Sequence, residues 1–191
     1  MAFSFGAPLR EAGERFHGPR GYSDYRRYKD WLRDEFAFRC VWCLTREVWT
    51  GSTKHFHVEH HEPRALGGAE TDYDNLYYAC GRCNYAKGAT PLPVEPETFW
   101  SRTRVADDGH LVTECVDCSE VVLILHLNST EALTHRQRFL QLWHEDRGHP
   151  LFAFPSELPD LRRKNCTNQK RENVDCSYRA MRERDELPDA Y

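Results

Sequence analysis

From Ser23 onward, Tyr25, Tyr28, Leu32 and Phe36 recur at intervals of three and four, with Arg26, Arg27, Lys29, Asp30 and Arg33 on the other side. That period is helical and predicts an amphipathic helix whose apolar stripe packs on the segment that follows. Phe38 and Val41-Trp42 carry the apolar surface further along the chain. Alternation over residues 56–59 predicts a short strand, ended by Pro63. Gly67-Gly68 and the polar residues after it mark a loop. Residues 75–79 read as a second strand, with Leu76 and Tyr78 on one face and Tyr77 on the other. Residues 81–87 then predict a short helix, with Gly88 placed to serve as a left-handed cap.

Downstream, Pro91, Pro93 and Pro96 mark a connector over residues 88–97 that cannot be helical throughout. The run over residues 121–127, apolar but for His126, has the length of a strand. Asn128 with Glu131 predicts a capped helix start, and that helix carries Leu133, Phe139, Leu140 and Trp143 inward. The pattern divides the chain into an extended N-terminal arm (1–22) and a strand-loop-strand-helix unit with its preceding helix (23–90). A strand-helix extension (91–158) and a charged tail (159–191) follow. The tail is poor in aliphatic residues, so it is either a surface helix docked by a few side chains or partly disordered.

The 191 residues are 40% hydrophobic and 29% charged, the balance of a soluble chain forming one or two small domains. Residues 1–20 hold no apolar run of the secretory kind, and no stretch approaches membrane-spanning length. The expected location is therefore cytoplasmic, where eight cysteines point to metal ligands and free thiols more than to disulfides. A net charge of −4 argues against coating nucleic acid by bulk electrostatics. Local basic runs at Arg26-Arg27-Tyr28-Lys29, Arg162-Arg163-Lys164 and Lys170-Arg171 are either solvated faces or the lining of one surface.

The cysteines carry the strongest chemical signal. Cys40/Cys43 and Cys80/Cys83 form C-x2-C pairs separated by 36 residues. Each two-residue spacer lets one turn offer both sulfurs to a single ion, so four thiolates can close a tetrahedral zinc site. The segment between becomes a clamped loop, held without a large core of its own. It contains His57, Glu59, His60, His61 and Asn75, nitrogen and oxygen donors suited to a second, exchangeable divalent ion and to proton transfer. Cys115/Cys118 form another C-x2-C, with Cys166 and Cys176 far downstream. These four, with His110 as a further candidate donor, either make a second zinc site or remain thiols.

Cys40-Val41-Trp42-Cys43, His57-Val58-Glu59-His60 with Pro63-Arg64 and Gly67-Gly68, Asp74-Asn75-Leu76, and Cys80-Gly81-Arg82-Cys83-Asn84 with Lys87-Gly88 together resemble the zinc-stapled branch of the HNH endonuclease family. The resemblance covers about a quarter of the chain, the size of one supersecondary unit. It implies an α+β fold: a ββα-metal (HNH) core stapled by a four-cysteine zinc site, with flanking helices and a C-terminal strand-helix extension. It implies DNA phosphodiester hydrolysis, nicking one strand per active site, with RNA as an alternative substrate. His60, three residues before a proline, takes the general-base position. Glu59 and Asn84 take the positions of ligands to a catalytic Mg²⁺ or Mn²⁺, with His57 as a further candidate. Asn75 takes the position that orients the histidine loop without touching the metal. Arg64, Arg82 and Lys87 are candidate phosphate contacts. His61 departs from the family pattern, which is usually apolar there.

The acidic balance leaves room for a partner protein that supplies target recognition, as in the effector subunit of a restriction or phage-defence system. Cutting both strands would call for a homodimer, a second domain or successive nicks. The competing reading, from a different class, is a zinc-stabilised module that binds nucleic acid or protein without catalysis.

Overall fold

The stripe that begins at Tyr25 becomes the floor on which the rest of the chain is laid. In the computed structural model, which describes residues 15–164, 166 and 174–187, Asp24 caps a 3-10 turn over Tyr25–Tyr28 by accepting the Arg26 N–H. Helix α1 (Lys29–Glu35) follows directly, with Trp31 and Leu32 fully buried. The chain then takes two left-handed residues in succession, Ala37 and Phe38, with φ of 51° and 57°. Such backbone costs an L-residue roughly 1–2 kcal/mol. Here it drives Phe38 into a cluster with Phe154 and Tyr178. Burial of a phenylalanine contributes about 1.5–3 kcal/mol, enough to offset much of that strain.

After the first cysteine pair and a single turn, α2 (Glu47–Thr50), strand β1 (Phe56–His60) pairs antiparallel with β2 (Leu76–Cys80), from Phe56 opposite Cys80 to His60 opposite Leu76. Helix α3 (Gly81–Lys87) starts at the end of β2, giving the ββα order. β2 is buried along its whole length, because α1 and α3 both pack on the ribbon. Side chains alternate across β1. His57 and Glu59 face α3, whereas His60 faces Tyr25. Gly88 ends the helix with a positive φ, 53°, but its ψ of −125° is not that of the left-handed cap expected; its N–H returns to the Asn84 carbonyl.

The extension departs from expectation at its most apolar point. Residues 121–127 are not a strand: α5 (Val116–Ile124) takes in the first four of them, and Leu125 to Leu127 close it in a turn. Cys118, Val121, Val122 and Leu125 are buried while Leu123 is 72% exposed, the i, i+3, i+4, i+7 spacing of a helix face. A continuous apolar run carries no period of its own, so length and composition favoured the wrong element. The strands lie upstream. After α4 (Pro96–Arg102), β3 (Thr103–Val105) and β4 (Leu111–Thr113) form a hairpin turned through Gly109.

Helix α6 (Thr130–Glu145) is capped by Ser129, not Asn128. The Asn128 amide instead bridges both backbone groups of Leu111, pinning the hairpin to the α5–α6 turn. Arg136 is buried on the inner face and donates to the carbonyls of Leu127 and Gly109. The ring of Phe139 stacks on Trp49 at 3.8 Å, joining the extension to the clamp.

Of the N-terminal arm, residues 1–14 lie outside the described residues. Its end is fastened: Arg15 donates to the Leu76 carbonyl, and His17 inserts beside Asp34 and Trp31. In the tail, the short helix Tyr178–Glu183 docks through Tyr178, whose N–H reaches Asp34. No helix among the described residues is long and apolar enough to cross a membrane.

Candidate active site

The two cysteine pairs meet beneath the ribbon. Cys40 and Cys43 lie on a turn whose Val41 N–H bonds to the Tyr78 carbonyl of β2, while Cys80 and Cys83 flank the start of α3. All four sulfurs lie within 4.8 Å of one another, none is in a disulfide, and Cys43 and Cys80 are 3.6 Å apart. A tetrahedral zinc ion with bonds of about 2.3 Å holds its sulfurs at roughly that spacing. The cluster fits zinc. Burial pushes the Cys40 thiol up, whereas hydrogen bonds from its sulfur neighbours and the charge of Arg82 hold Cys43 well below the ordinary thiol value. A shared cation requires all four sulfurs deprotonated together, against the burial that favours the neutral thiol.

Above the clamp, the chain from His61 to Ala69 is tied down by one side chain. The Asn75 amide donates to the carbonyls of Glu62 and Ala69, and its oxygen accepts the Glu62 N–H at 2.8 Å. The backbone adds a bond from His61 N–H to the Asn75 carbonyl. Packing here is so close that a Cβ on Gly68 would lie 2.0 Å from the Glu62 carbonyl oxygen. Any side chain at that position would force the loop apart.

His60, the last residue of β1, is half-buried. Its ring meets Tyr25 edge-on at 4.7 Å, and its Nε2 lies 3.0 Å from the Glu70 carbonyl oxygen. A carbonyl only accepts, so Nε2 carries a proton and Nδ1 of the neutral ring keeps its lone pair. Burial lowers the imidazole pKa below its usual value, with Arg64 and Lys87 adding to the effect, against the Glu70 carbonyl and carboxylate.

On the other face, Glu59 is 2% exposed and its Oε1 lies 2.7 Å from Nζ of Lys87, itself 2% exposed. Lys87 also donates to the His60 carbonyl. Burial nevertheless raises the Glu59 pKa, because one ammonium does not restore what the carboxylate loses by leaving water. Among the described residues, Glu59 Oε2 and the buried His61 Nδ1 make no well-formed hydrogen bond. Trp42 lies against Glu59, and its ring stacks with His61. Native proteins rarely leave such atoms unpaired, so this chamber fits a polar or charged guest. His61 thus belongs to the site's surroundings, and its departure from an apolar residue was the sequence signal.

Asn84 is half-exposed on α3, one turn before Lys87 and so on the same helix side. His57 faces the first turn of α3, with its Nε2 3.4 Å from where a Cβ on Gly81 would stand. The structure therefore gathers Glu59, Asn84, His57 and Lys87 on the α3 side of the strand. His60 lies on the opposite side, at the strand end where the two faces meet the loop.

The expected phosphate contacts divide. Arg64 is exposed beside His60, paired with Glu70 at 2.7 Å over the Tyr25 ring. Lys87 is buried with Glu59, and Arg82 lies against the sulfur cluster and the His126 carbonyl. Both have their charge already engaged. The four remaining cysteines do not form a second four-sulfur site. Among the described residues, Cys40, Cys43, Cys80 and Cys83 are the one group of three or more metal-binding side chains. Cys176 lies 3.9 Å from His17, and His110 pairs with Asp108.

Residues 40–90 match the model of the HNH endonuclease family. The segment begins at the first clamp cysteine and ends just past α3, so the clamp, the ribbon and the helix form an HNH domain within the larger chain. No curated protein and no solved structure matches the chain.

Proposed function

We propose that this protein is a metal-dependent nuclease that hydrolyses DNA phosphodiester bonds, nicking one strand per active site. The observation that carries this reading is His60, held by Nε2 on the Glu70 carbonyl so that Nδ1 is left to act. Nδ1 takes a proton from the attacking water, and the depressed pKa keeps the ring neutral at pH 7. Activity therefore rises with pH through a value below about 6.5 and is lost in acid as the imidazole protonates.

Glu59 Oε2 and the Asn84 carboxamide would hold Mg²⁺ or Mn²⁺, with His57 as a further donor and waters completing the shell. When bound, such an ion stabilises charge on the pentacoordinate phosphorus and on the leaving oxygen. Lys87 balances the remaining charge of Glu59. Asn75 keeps the His60 loop in one conformation, and Arg64 exchanges Glu70 for a phosphate oxygen of the substrate. The backbone linkage is the group addressed, so RNA is the second substrate class to assay.

The acidic net charge, −4, supports a partner protein that brings the target, as in an effector subunit of a restriction or phage-defence system, or a homodimer that pairs two nicks. The deciding experiment incubates zinc-loaded protein with supercoiled plasmid and Mg²⁺ or Mn²⁺, with and without EDTA. Metal-dependent nicking is expected to fall about 10²–10⁴-fold in His60→Ala, with unchanged melting. Equal nicking by wild type and variant would overturn the assignment. Tight nucleic-acid binding without cleavage would favour a zinc-stabilised binding module.

A further inference from the structure

Outside the HNH domain, one pair of thiols stands in an asymmetric arrangement that its structural surroundings do not require. Cys115 is the N-cap of the nine-residue helix α5, and its sulfur accepts the backbone N–H of Cys118 at 3.4 Å. Cys115 is half-exposed, whereas Cys118, one turn further in, is 0% exposed. The spacing is that of a first helical turn, which brings two residues within the roughly 4.4–6.8 Å Cα separation that a disulfide spans.

The surroundings are as asymmetric as the thiols. Hydrogen bonds from the Cys118 thiol and the Cys118 N–H to the Cys115 sulfur, with Arg102 beside it, favour the thiolate there. Burial favours the neutral thiol at Cys118. Beside Cys118 stand the hydroxyls of Thr103 and Thr113. Thr113 is engaged with the Arg102 carbonyl and the Cys115 N–H. Thr103 is only 7% exposed, and among the described residues its hydroxyl has no oxygen or nitrogen partner and stands beside the Cys118 sulfur. It is placed to donate to a thiolate when Cys118 ionises. In front of Cys115 lies an open cleft of about 730 Å³, lined by Arg102, Arg104, Thr113 and Glu114 among others.

We propose that Cys115 and Cys118 form a redox-active dithiol whose substrate is a small disulfide bearing carboxylates, seated in the cleft against Arg102 and Arg104. The Cys115 thiolate attacks one sulfur of the disulfide, forming a mixed disulfide and releasing the first substrate thiolate. Cys118 gives up its proton to that departing thiolate and attacks the Cys115 sulfur. The mixed disulfide breaks, the Cys115–Cys118 bond forms, and the second substrate thiol leaves with a proton from solvent. In sum, two protein thiols and one disulfide become one protein disulfide and two small thiols.

A shared zinc ion between two copies of the chain is the other use of an exposed C-x2-C pair. It is disfavoured by burial, since both sulfurs would have to reach a common ion and Cys118 is enclosed. The four clamp cysteines are kept out of the reaction by their own ion, so the two sulfur sites are chemically separable.

The test uses the full zinc-loaded chain and glutathione disulfide, with acid quenching, alkylation and peptide mapping. In wild type, Cys115 and Cys118 are expected to become linked to each other while the clamp peptides stay reduced and zinc content stays constant. Cys118→Ser traps one glutathione on Cys115, and Cys115→Ser leaves Cys118 unreacted. Arg102→Gln slows the first step several-fold. Because Cys118→Ser alters a buried position, wild-type alkylation supplies an independent check: iodoacetamide labels Cys115 well before Cys118. The proposal is overturned if wild type forms no Cys115–Cys118 bond, if Cys118 is labelled first, or if metal analysis finds a further zinc that Cys115→Ser removes.

Discussion

Cys40/Cys43 and Cys80/Cys83 sit at one end of a single ribbon, brought together by the antiparallel pairing that puts Phe56 opposite Cys80 and by the bond from Val41 to Tyr78. Cys115/Cys118 have the same spacing and begin a helix, yet no third metal-binding side chain joins them among the described residues. The spacing shows only that one turn can present two sulfurs. Whether those sulfurs meet a metal or each other depends on what the fold carries to within a few ångströms. In the clamp, another turn arrives; at α5, an arginine, two threonines and a cleft do.

The sharpest way to break this comparison is to remove one sulfur from each region. Structural zinc contributes about 10–16 kcal/mol of binding energy in small domains, and whole domains are stable by about 5–15 kcal/mol. Cys80→Ser, or stripping the ion with a strong chelator, is expected to abolish cooperative melting of the HNH domain. Cys115→Ser is expected to shift the melting temperature by only a few degrees. Equal losses in calorimetry would mean that both regions are structural.

Cysteines outside the clamp should answer to protons where the clamp answers to metal, and Cys176 with His17 allows a measurement. Burial opposes the charged His17 ring, but its hydrogen bonds to Asp34 and Cys176 and the charges of Asp34 and Glu35 outweigh it, raising the pKa to about 9. A raised folded-state pKa gives stability that is complete below the unfolded value, about 6.5, and is lost as pH rises through about 9. The contribution is on the order of 3 kcal/mol. Chemical denaturation of wild type between pH 6 and pH 10 should show this decline, and His17→Gln should flatten it. A flat wild-type profile would refute the buried charged pair.

The smallest expected effect tests what the clamp holds. Asn75→Ala removes one side chain that satisfies three backbone groups of the His60 loop. A stability loss of about 1–3 kcal/mol is expected, together with a larger proportional loss in nicking than in DNA binding. Loss of binding alone would show that the loop positions substrate and not the base.

Much of the HNH domain was legible along the chain, because its signals are local. Two-residue cysteine spacers, a proline three residues after His60 and a glycine after α3 each specify a turn through nearby backbone. Signals that rest on distant partners were not legible. The run at residues 121–127 is apolar at every position but His126, and only its burial against β4 and α4 showed which side of a helix it presents. Asn128 looked like a cap, but β4 claims its amide. Lys87 and Arg82 were candidate phosphate contacts, and folding buried one against Glu59 and set the other over the sulfurs.

By itself, the amino-acid order determined a four-cysteine clamp fit for zinc, the ββα succession inside it and the identities of the chemical groups it holds. Periodicity, turn residues and ligand spacing are properties of neighbours, and neighbours are written in the chain. The tertiary structure decided which face of β1 each donor occupies, which nitrogen of His60 is left to accept a proton, and which cysteines stand apart. Those outcomes depend on desolvation and on contacts between residues far apart in sequence, such as His17 with Cys176 or Lys87 with the His60 carbonyl. Such energies exist only once packing has removed water from both partners.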